Sequence, residues 1–306
     1  MKNSNKIIDG KFHAETLLKD IQPLTRQYYK KHNRQPCLAV ILIGEDPASK
    51  IYVKNKLRTA ANNNIKSIEI ILPAKTPEKH LIEEIFKLNQ DINVDGILVQ
   101  LPLPEHISEK LVIESINPKK DVDGFHPFNF GKLFMGDPVF IPCTPLGCFY
   151  ILQKELNQLS GKNAVIIGRS NIVGKPMASL LLSANCSVTV THSKTKNLKD
   201  HCKRADILIT AIGRPEMVDE SYVNPNSIII DVGINRLKLT KSITNNKESK
   251  LVGDVNFKSV FEIVDKITPV PGGVGPMTIA CLMHNTVKAA CMNKNESFSN
   301  ILKGAL

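Results

Sequence analysis

The chain has 306 residues, of which 42% are hydrophobic and 23% are charged, and its formal net charge is +11. A chain of this length is expected to form two domains or one large one, and a mean hydropathy of −0.10 is ordinary for a soluble globular protein. No apolar run reaches membrane-spanning length, and residues 1–20 lack the apolar core of a signal peptide. The sequence therefore predicts a cytoplasmic protein and no membrane partner.

The positive charge and the cysteines each suggest a class of function that the sequence then disfavours. A net charge of +11 is compatible with nucleic-acid binding, but the lysines are spread along the chain and no aromatic-studded basic stretch occurs. A lysine-rich surface that attracts a polyanionic ligand explains the charge better. The seven cysteines are odd in number and none is spaced as C-x-x-C, so we expect buried, reduced thiols and no metal site.

Helices and strands alternate in the first half of the chain. The apolar patterns predict a helix over 13–31, a strand at 37–43, a strand at 68–72, a helix over 77–88 and a strand at 95–100. Another helix is predicted after the first strand, because Asp46 is a good N-cap and Pro47 suits the first helical position. This alternation is typical of α/β domains with parallel sheets.

Ser49, Tyr52 and Lys56 share one face of the helix that follows Asp46. At 3.6 residues per turn they fall within an arc of about 60° near the carboxyl end of the preceding strand, where open α/β sheets bind ligands. A hydroxyl, an aromatic ring and an amine suit a flat, polar heterocycle, and a partly buried Lys56 could exchange protons with it. The alternative is that Tyr52 packs in the core and Lys56 is a solvated surface lysine.

Polar groups also follow the strand at 95–100. Gln100 closes an apolar strand and can both donate and accept at the edge of the sheet. The turn at 119–125 carries Asp121 and Asp123, and its Asp-x-Asp-Gly pattern lacks the later ligands of a calcium loop. One of these carboxylates could accept hydrogen bonds from a ring N–H and an exocyclic amine. The local pattern does not say which one.

Residues 164–182 predict a phosphate site in the second half of the chain. A β-branched strand ends at Gly168, and helical periodicity resumes near Pro176, which is tolerated in a first helical turn. Free N–H groups and the positive end of the helix dipole favour a phosphate there. Because Ser170 replaces the second glycine of G-x-G-x-x-G and Gly174 comes one residue late, an ordinary tight turn is an equal alternative.

The next strand, predicted at 187–191, indicates which dinucleotide binds. It ends in His192-Ser193-Lys194-Thr195, without the acidic residue that usually holds the ribose 2′-hydroxyl of NAD. Hydroxyls, a lysine and the nearby Arg169 would suit a 2′-phosphate. The sequence therefore predicts NADP rather than NAD.

The remaining patterns complete a second α/β region. They predict a helix over 144–156, strands at 206–210 and 227–232, and a polar surface loop or hairpin at 237–250. An apolar Pro/Gly-rich segment at 267–278 leads into a final helix. Such a segment lets backbone groups contact a ligand, so we do not interpret it as a linker.

Seven motifs in this chain occur in one order. Together they resemble the bifunctional methylenetetrahydrofolate dehydrogenase/methenyltetrahydrofolate cyclohydrolase (FolD) family, over about residues 10–290. The motifs are Tyr-x-x-x-Lys (52–56), Asp-Gly-Ile-Leu-Val-Gln-Leu-Pro-Leu-Pro (95–104), Lys-Asp-Val-Asp-Gly (120–124), Pro-Cys-Thr-Pro (142–145), Gly-Arg-Ser-x-x-Val-Gly-x-Pro (168–176), Asp-Val-Gly-Ile-Asn (231–235) and Pro-Val-Pro-Gly-Gly-Val-Gly-Pro-Met-Thr (269–278).

The resemblance implies an NADP-dependent enzyme of one-carbon metabolism. Such an enzyme oxidises 5,10-methylenetetrahydrofolate to the 5,10-methenyl form and hydrolyses that product to 10-formyltetrahydrofolate. It also implies two open α/β domains across a cleft, the second a Rossmann-like NADP-binding domain, and a homodimer. We expect a folate-binding catalytic domain of residues 1–140 plus 275–306, with the NADP-binding domain at 141–274.

The resemblance also implies roles for individual residues. Lys56 matches the acid/base group of the hydrolysis, Tyr52 the residue that stacks on the folate, and Gln100 the partner that positions the lysine. Asp123, not Asp121, matches the carboxylate that holds the pterin. Other folate contacts are expected at Ser49, Leu101, Pro271, Gly272 and Gly273. NADP contacts are expected at Thr144, Gly168, Arg169, Ser170, Ser193 and Ile234, and no metal is expected.

Both expected ligands, a folate with one or more glutamates and NADP, are anionic and therefore fit the net charge of +11. The chain departs from the family pattern at Asn256, where an aspartate is common. Two alternatives are an NADP-dependent dehydrogenase acting on a small hydroxy acid and a basic nucleic-acid-binding protein. The second alternative leaves the loop at Gly168 unexplained.

Overall fold

The structure, a computed structural model, describes residues 6–238 and 249–298. Its strands are β1 (Cys37–Ile43), β2 (Lys66–Leu72), β3 (Gly96–Val99), β4 (Asn163–Ile167), β5 (Ser187–Thr191), β6 (Ile207–Thr210), β7 (Ile228–Asp231), β8 (Asn235–Lys238), β9 (Ser249–Val252) and β10 (Lys266–Ile267). Its helices are α1 (Gly10–His32), α2 (Pro47–Asn62), α3 (Glu78–Gln90), α4 (Glu109–Ser115), α5 (Pro127–Phe134), α6 (Cys143–Glu155), α7 (Gly174–Ser183), α8 (Leu198–Lys203), α9 (Phe257–Phe261) and α10 (Val274–Asn293).

The chain divides into two compact units. Within the described ranges, the first unit contains residues 14–143 and 279–298, and the second contains 6–13, 144–238 and 249–278. Residues 6–13 join the second unit because the Ile8 N–H donates to the Ile267 carbonyl at 2.9 Å and His13 pairs with Glu155 at 2.7 Å. No pattern in the sequence predicts this N-terminal contribution.

The first unit is built on a parallel three-stranded sheet of order β2-β1-β3. All residues of β1 are buried, because this central strand is a continuous apolar run. One face of the sheet packs against α3 and α4 through a cluster that includes Leu81, Ile85 and Val112. The carboxyl ends of the strands are therefore held on a rigid core.

The second unit is built on a five-stranded parallel sheet of order β10-β7-β6-β4-β5. The direction of strand succession reverses between β4 and β6, which makes their carboxyl ends the point where open α/β sheets bind ligands. Gly168 directly follows β4, and Ala211 directly follows β6. The predicted architecture of two α/β domains is confirmed.

Most of the predicted elements are present. The bounds of β1 and β5 are those predicted, and α1 runs three residues earlier and one residue later than the predicted 13–31. The segment predicted at 237–250 contributes arms of the antiparallel pair β8 and β9, while residues 239–248 lie outside the described residues. Short elements such as α4, α5 and α9 were not predicted, since few turns give little periodicity.

The state of the cysteines, the apolar length of the helices and the grouping of possible metal ligands are seen directly in the structure. All seven cysteines are buried and none forms a disulfide. No helix within residues 6–238 and 249–298 is both long and apolar enough to cross a membrane. In the same ranges, no group of three or more His, Cys, Asp or Glu residues could hold a metal ion.

Candidate active site

Helix α2 carries the predicted polar face. Its N-cap is Asp46, whose carboxylate accepts the Ser49 N–H at 2.7 Å, so the predicted cap and helix phase are confirmed. Ser49 and Lys56 are only 6% and 7% exposed, and Tyr52 is partly buried. The alternative interpretation of Lys56 as a solvated surface lysine is therefore wrong.

Gln100, the first residue after β3, holds the Lys56 ammonium. Lys56 Nζ donates to Gln100 Oε1 at 2.9 Å, and Gln100 Nε2 donates to the Leu101 carbonyl at 2.6 Å. Because that carbonyl occupies the amide nitrogen, the amide oxygen must face the lysine. The Gln100 N–H donates to the Ile41 carbonyl at 2.9 Å, so β1 fixes the position of this residue.

Asp121 serves the local turn. Its side chain is 2% exposed and accepts four hydrogen bonds, from the backbone N–H groups of residues 124–126 and from the Asn129 amide, at 2.8–3.2 Å. A carboxylate with this many donors has no further strong acceptor site to offer. Asp121 therefore stabilises the turn that follows it.

Asp123 has different surroundings. It is partly exposed, whereas Asp121 is buried, although both carboxylates line one small pocket with Leu101 and Phe125. Burial raises the pKa of its carboxyl above the ordinary value, and the positive charge of Lys56 acts in the opposite direction. Lys56 and Asp123 are thus neighbours at the carboxyl edge of the first unit's sheet.

Cys143 and Asn285, neither of them predicted as site residues, support the segment before Asp123. Cys143 Sγ donates to the Val122 carbonyl at 3.3 Å, and Asn285 Nδ2 donates to the same carbonyl at 2.9 Å. Burial raises the pKa of the Cys143 thiol well above its ordinary value. The only signal for Asn285 in the sequence is a polar residue in an apolar helix, which does not identify its partners.

In the second unit, the turn between β4 and α7 requires glycine at two positions. Gly168 has φ +126°, and a Cβ there would lie 2.2 Å from the Ala211 carbonyl oxygen. A Cβ at Gly174 would lie 2.2 Å from the Gly168 carbonyl oxygen. The two glycines thus let the backbone pack closely in this turn, which we call the cradle. A helix that starts at such a turn suits a dinucleotide phosphate.

Ser170 explains how this turn works without the usual second glycine. Its Oγ accepts the N–H of Val173 at 3.1 Å and that of Gly174 at 3.4 Å, while the side chain stays exposed. The hydroxyl therefore satisfies N–H groups at the N-terminal end of α7 and fixes the turn. Since α7 begins at Gly174, Pro176 lies in its first turn, as predicted.

Other predicted NADP contacts follow the strands of the same sheet. Arg169 and Ser193 are exposed just after β4 and β5, and Ile234 is 46% exposed after β7. Thr144, at the start of α6, forms a hydrogen bond of 3.0 Å with Thr278 between their hydroxyls. Three of these residues therefore lie at the carboxyl edge of the sheet.

The predicted folate contacts Pro271, Gly272 and Gly273 also belong to the second unit. The Gly273 N–H donates to the Pro269 carbonyl at 2.8 Å, which closes the loop tightly. Gly10, at the start of α1, supports it, since a Cβ at Gly10 would lie 1.8 Å from the Gly273 carbonyl oxygen. Gly10 was not predicted as a supporting residue.

The departure at Asn256 is physically neutral. Its side chain is the N-cap of α9 and accepts the Ser259 N–H at 3.3 Å. An aspartate caps a helix in the same way. The substitution therefore changes the charge of this cap and keeps its function.

Two family models match this chain. Residues 8–123 match the tetrahydrofolate dehydrogenase/cyclohydrolase catalytic domain. Residues 142–294 match the NAD(P)-binding domain of the same family.

Relatives match over nearly the full length. The bifunctional protein FolD of Ehrlichia canis (strain Jake) is 52% identical over 287 residues, which are 93% of this chain and 94% of that protein. The crystal structure of FolD from Campylobacter jejuni is 46% identical with a TM-score of 0.88, covering 94% of this chain and 98% of that one. The Trypanosoma brucei FolD structure, a complex with NADP and an inhibitor, is 32% identical with a TM-score of 0.88 and covers 94% and 97%.

Proposed function

Because the chain belongs to the tetrahydrofolate dehydrogenase/cyclohydrolase family, we propose which of its residues perform the two reactions of that family. The enzyme oxidises 5,10-methylenetetrahydrofolate with NADP⁺ to the 5,10-methenyl form, and it hydrolyses that form to 10-formyltetrahydrofolate. The observation that supports the assignment most strongly is the buried Lys56 amine, held by Gln100 at 2.9 Å and adjacent to Asp123.

The first unit binds the folate. Asp123 accepts hydrogen bonds from a ring N–H and the exocyclic amine of the pterin, because its carboxylate is partly exposed while that of Asp121 is already engaged. Tyr52 stacks on the folate from the same helix face as Lys56. Ser49 and Leu101 are further folate contacts of the same unit.

Lys56 moves the proton during hydrolysis. Water attacks the methenyl carbon, and Lys56, acting in its neutral amine form, accepts one of the water protons and returns it to the folate nitrogen whose bond to that carbon breaks. The second proton of the water passes to solvent, which balances the conversion of a cationic substrate to a neutral formyl product. Gln100 is a positioning residue in this step, because its amide oxygen holds the lysine amine in place.

The second unit binds NADP. Gly168 and Ser170 form the cradle at the start of α7, Arg169 and Ser193 contact the 2′-phosphate, and Ile234 and Thr144 are further contacts. When bound, NADP⁺ supplies the hydride acceptor. The oxidation needs no protein acid, because the folate nitrogens stabilise the cationic product. The protein has only to bind and orient the two rings.

We also propose an oligomeric state, a form of the substrate and a cellular compartment for the enzyme. We place the enzyme in the cytoplasm as a homodimer, acting on folates that include polyglutamylated forms. The net charge of +11 supports anionic substrates. Light scattering at micromolar concentration tests the dimer, and a monomer would contradict it. A lower KM for folate polyglutamates than for the monoglutamate tests the substrate form.

Substitution of Lys56 tests the catalytic assignment. We expect Lys56→Ala to abolish hydrolysis of methenyltetrahydrofolate, measured by the decay of methenyl absorbance, while folate binding stays measurable. Lys54→Ala on the same helix is the matched control, since Lys54 is exposed and its loss should leave hydrolysis unchanged. Hydrolysis at the wild-type rate by Lys56→Ala would remove this lysine from the mechanism.

A further inference from the structure

Two buried carboxylates in the second unit have no role in the contacts proposed above. Asp254 is 0% exposed, and Asp231, at the end of β7, is 3% exposed. Buried carboxylates are costly unless their oxygens receive hydrogen bonds. The groups that donate hydrogen bonds to these two carboxylates therefore indicate which segments the carboxylates hold in place.

Asp254 binds the backbone of the segment that follows β6. Its Oδ2 accepts the N–H groups of Ile212 at 2.6 Å and Gly213 at 3.1 Å, and its Oδ1 accepts that of Arg214 at 3.0 Å. Asn235 Nδ2 also donates to Oδ1, at 2.9 Å. Three consecutive N–H groups directed at one anion form a concavity of the kind that binds phosphates, and here Asp254 itself fills it.

Asp231 fixes Asp254 in turn. Its Oδ1 accepts the N–H of Asp254 at 3.0 Å and that of Gly233 at 2.9 Å, and its Oδ2 accepts the N–H of Val255 at 2.9 Å. A Cβ at Gly233 would lie 2.4 Å from the Asp254 carboxyl carbon, and one at Gly253 would lie 1.8 Å from Asp231 Oδ2. The two glycines therefore leave room for the two carboxylates.

The segments held in this way are those that flank the proposed NADP contacts. Ala211 lies directly against Gly168, at the point where the strand order reverses. Ile234 lies between Gly233, which is bonded to Asp231, and Asn235, which is bonded to Asp254. The segments that follow β6 and β7 are thus joined through two side chains, and the backbone of Ala211 connects them to the end of β4.

We propose that Asp254 is a positioning residue for the dehydrogenase reaction. It holds residues 212–214 and Asn235 in the arrangement that NADP requires, and it does not contribute to hydrolysis, which needs no dinucleotide. This inference rests on the proposed binding of NADP to the second unit. It assigns Asp254 no contact with the cofactor or the folate.

Asp254→Asn tests the proposal, because it keeps the shape of the side chain and replaces one acceptor oxygen by a donor. We expect kcat/KM for NADP⁺ to fall on the order of tenfold or more, while nucleotide-free hydrolysis of methenyltetrahydrofolate stays within about twofold of wild type. Asn256→Asp is the matched control, since it changes charge two residues away and keeps the cap of α9. It should leave both activities unchanged.

An unchanged kcat/KM for NADP⁺ in Asp254→Asn, or equal losses of both activities, would overturn the proposal. Should Asp254→Asn fail to fold, Asn235→Ala decides the question, since it removes one of the four hydrogen bonds to Asp254. A smaller loss confined to the dehydrogenase would support the proposal, and no such loss would refute it. These outcomes are independent of the Lys56→Ala result, which tests the folate site.

Discussion

Asp121 and Asp123 show how contacts, not residue type, separate a structural group from a functional one. They stand two residues apart in one turn, and the sequence pattern around them does not distinguish them. The Asp121 carboxylate accepts hydrogen bonds from the backbone N–H groups of residues 124–126 and from the Asn129 amide. Asp123 keeps a partly exposed carboxylate close to the charge of Lys56. Asp121 therefore stabilises the fold, and Asp123 is the carboxylate that we propose for the folate.

Amide substitution of each aspartate separates these roles. We expect Asp123→Asn to reduce kcat/KM for the folate on the order of a hundredfold in both reactions, with unfolding close to wild type. Asp121→Asn should lower the free energy of unfolding by about 2–4 kcal/mol, because a donor then faces the backbone N–H groups. Steady-state kinetics and denaturant unfolding measure the two effects. The reverse result, a stable but inactive Asp121→Asn and a normal Asp123→Asn, would exchange the assignments.

His284 gives the protein a predictable dependence of stability on pH. It is 3% exposed on α10, and burial lowers its pKa from 6.5 to about 4. Between these two values the unfolded chain holds the proton and the folded protein does not, so stability is lost as the pH falls from 6.5 to 4. The shift corresponds to about 3 kcal/mol at most.

Comparison of wild type with His284→Phe isolates this contribution. Denaturant unfolding at several pH values should show the difference in unfolding free energy between the two proteins changing between pH 6.5 and 4, with wild type losing more stability. His80→Gln is the control, since the His80 side chain is 49% exposed. A difference that is constant with pH would show that His284 is not buried in the neutral form.

Sequence motifs identify the proposed site residues, whereas the residues that support them leave little local signal. Lys56, Gln100 and the glycines of the second unit stand in motifs, and the cap at Asp46 sets the phase of the helix that carries Lys56. Asn285 could not be predicted, because its partner Val122 lies 163 positions away in the chain. The contacts of Asp231 and Asp254 are likewise not predictable from local patterns, since their donors lie in separate segments of the chain.

At the level of elements, strand–turn–helix units were predictable where local chemistry was unambiguous. The apolar β1 and the β-branched β4 are bounded by glycine, and α2 starts with an N-cap and a proline. Short helices such as α9 gain their stability from tertiary packing and leave little trace in the sequence. The same limit applies to Gly10, whose need for glycine comes from a distant loop.

Gly174→Ala tests the tight turn at the start of α7. Its Cβ would lie 2.2 Å from the Gly168 carbonyl, so the turn must open. We expect kcat/KM for NADP⁺ to fall on the order of tenfold, with hydrolysis of methenyltetrahydrofolate retained. Gly131→Ala in α5 is the matched control, because a Cβ there meets nothing within 4 Å. Unchanged use of NADP⁺ by Gly174→Ala would show that the cradle does not hold the dinucleotide.

At the scale of the whole molecule, the two units carry the residues that we propose for the two ligands. The first unit carries the Lys56 amine and the Asp123 carboxylate, which we propose for the folate, and the second carries a glycine turn at the reversal of its parallel sheet, which we propose for NADP. Substitutions in the glycine turn should therefore affect the oxidation alone, whereas substitution of Asp123 should affect both reactions. A net charge of +11 suits a protein whose substrate and cofactor are both anions.

A crystal structure of the protein with NADP⁺ and a folate analogue tests this account most directly. It should show the pterin stacked on Tyr52 with hydrogen bonds to Asp123, and the dinucleotide phosphates at Gly168 and the start of α7. A pterin bound through Asp121 or away from the helix of Lys56, or phosphates bound elsewhere on the second unit, would contradict it.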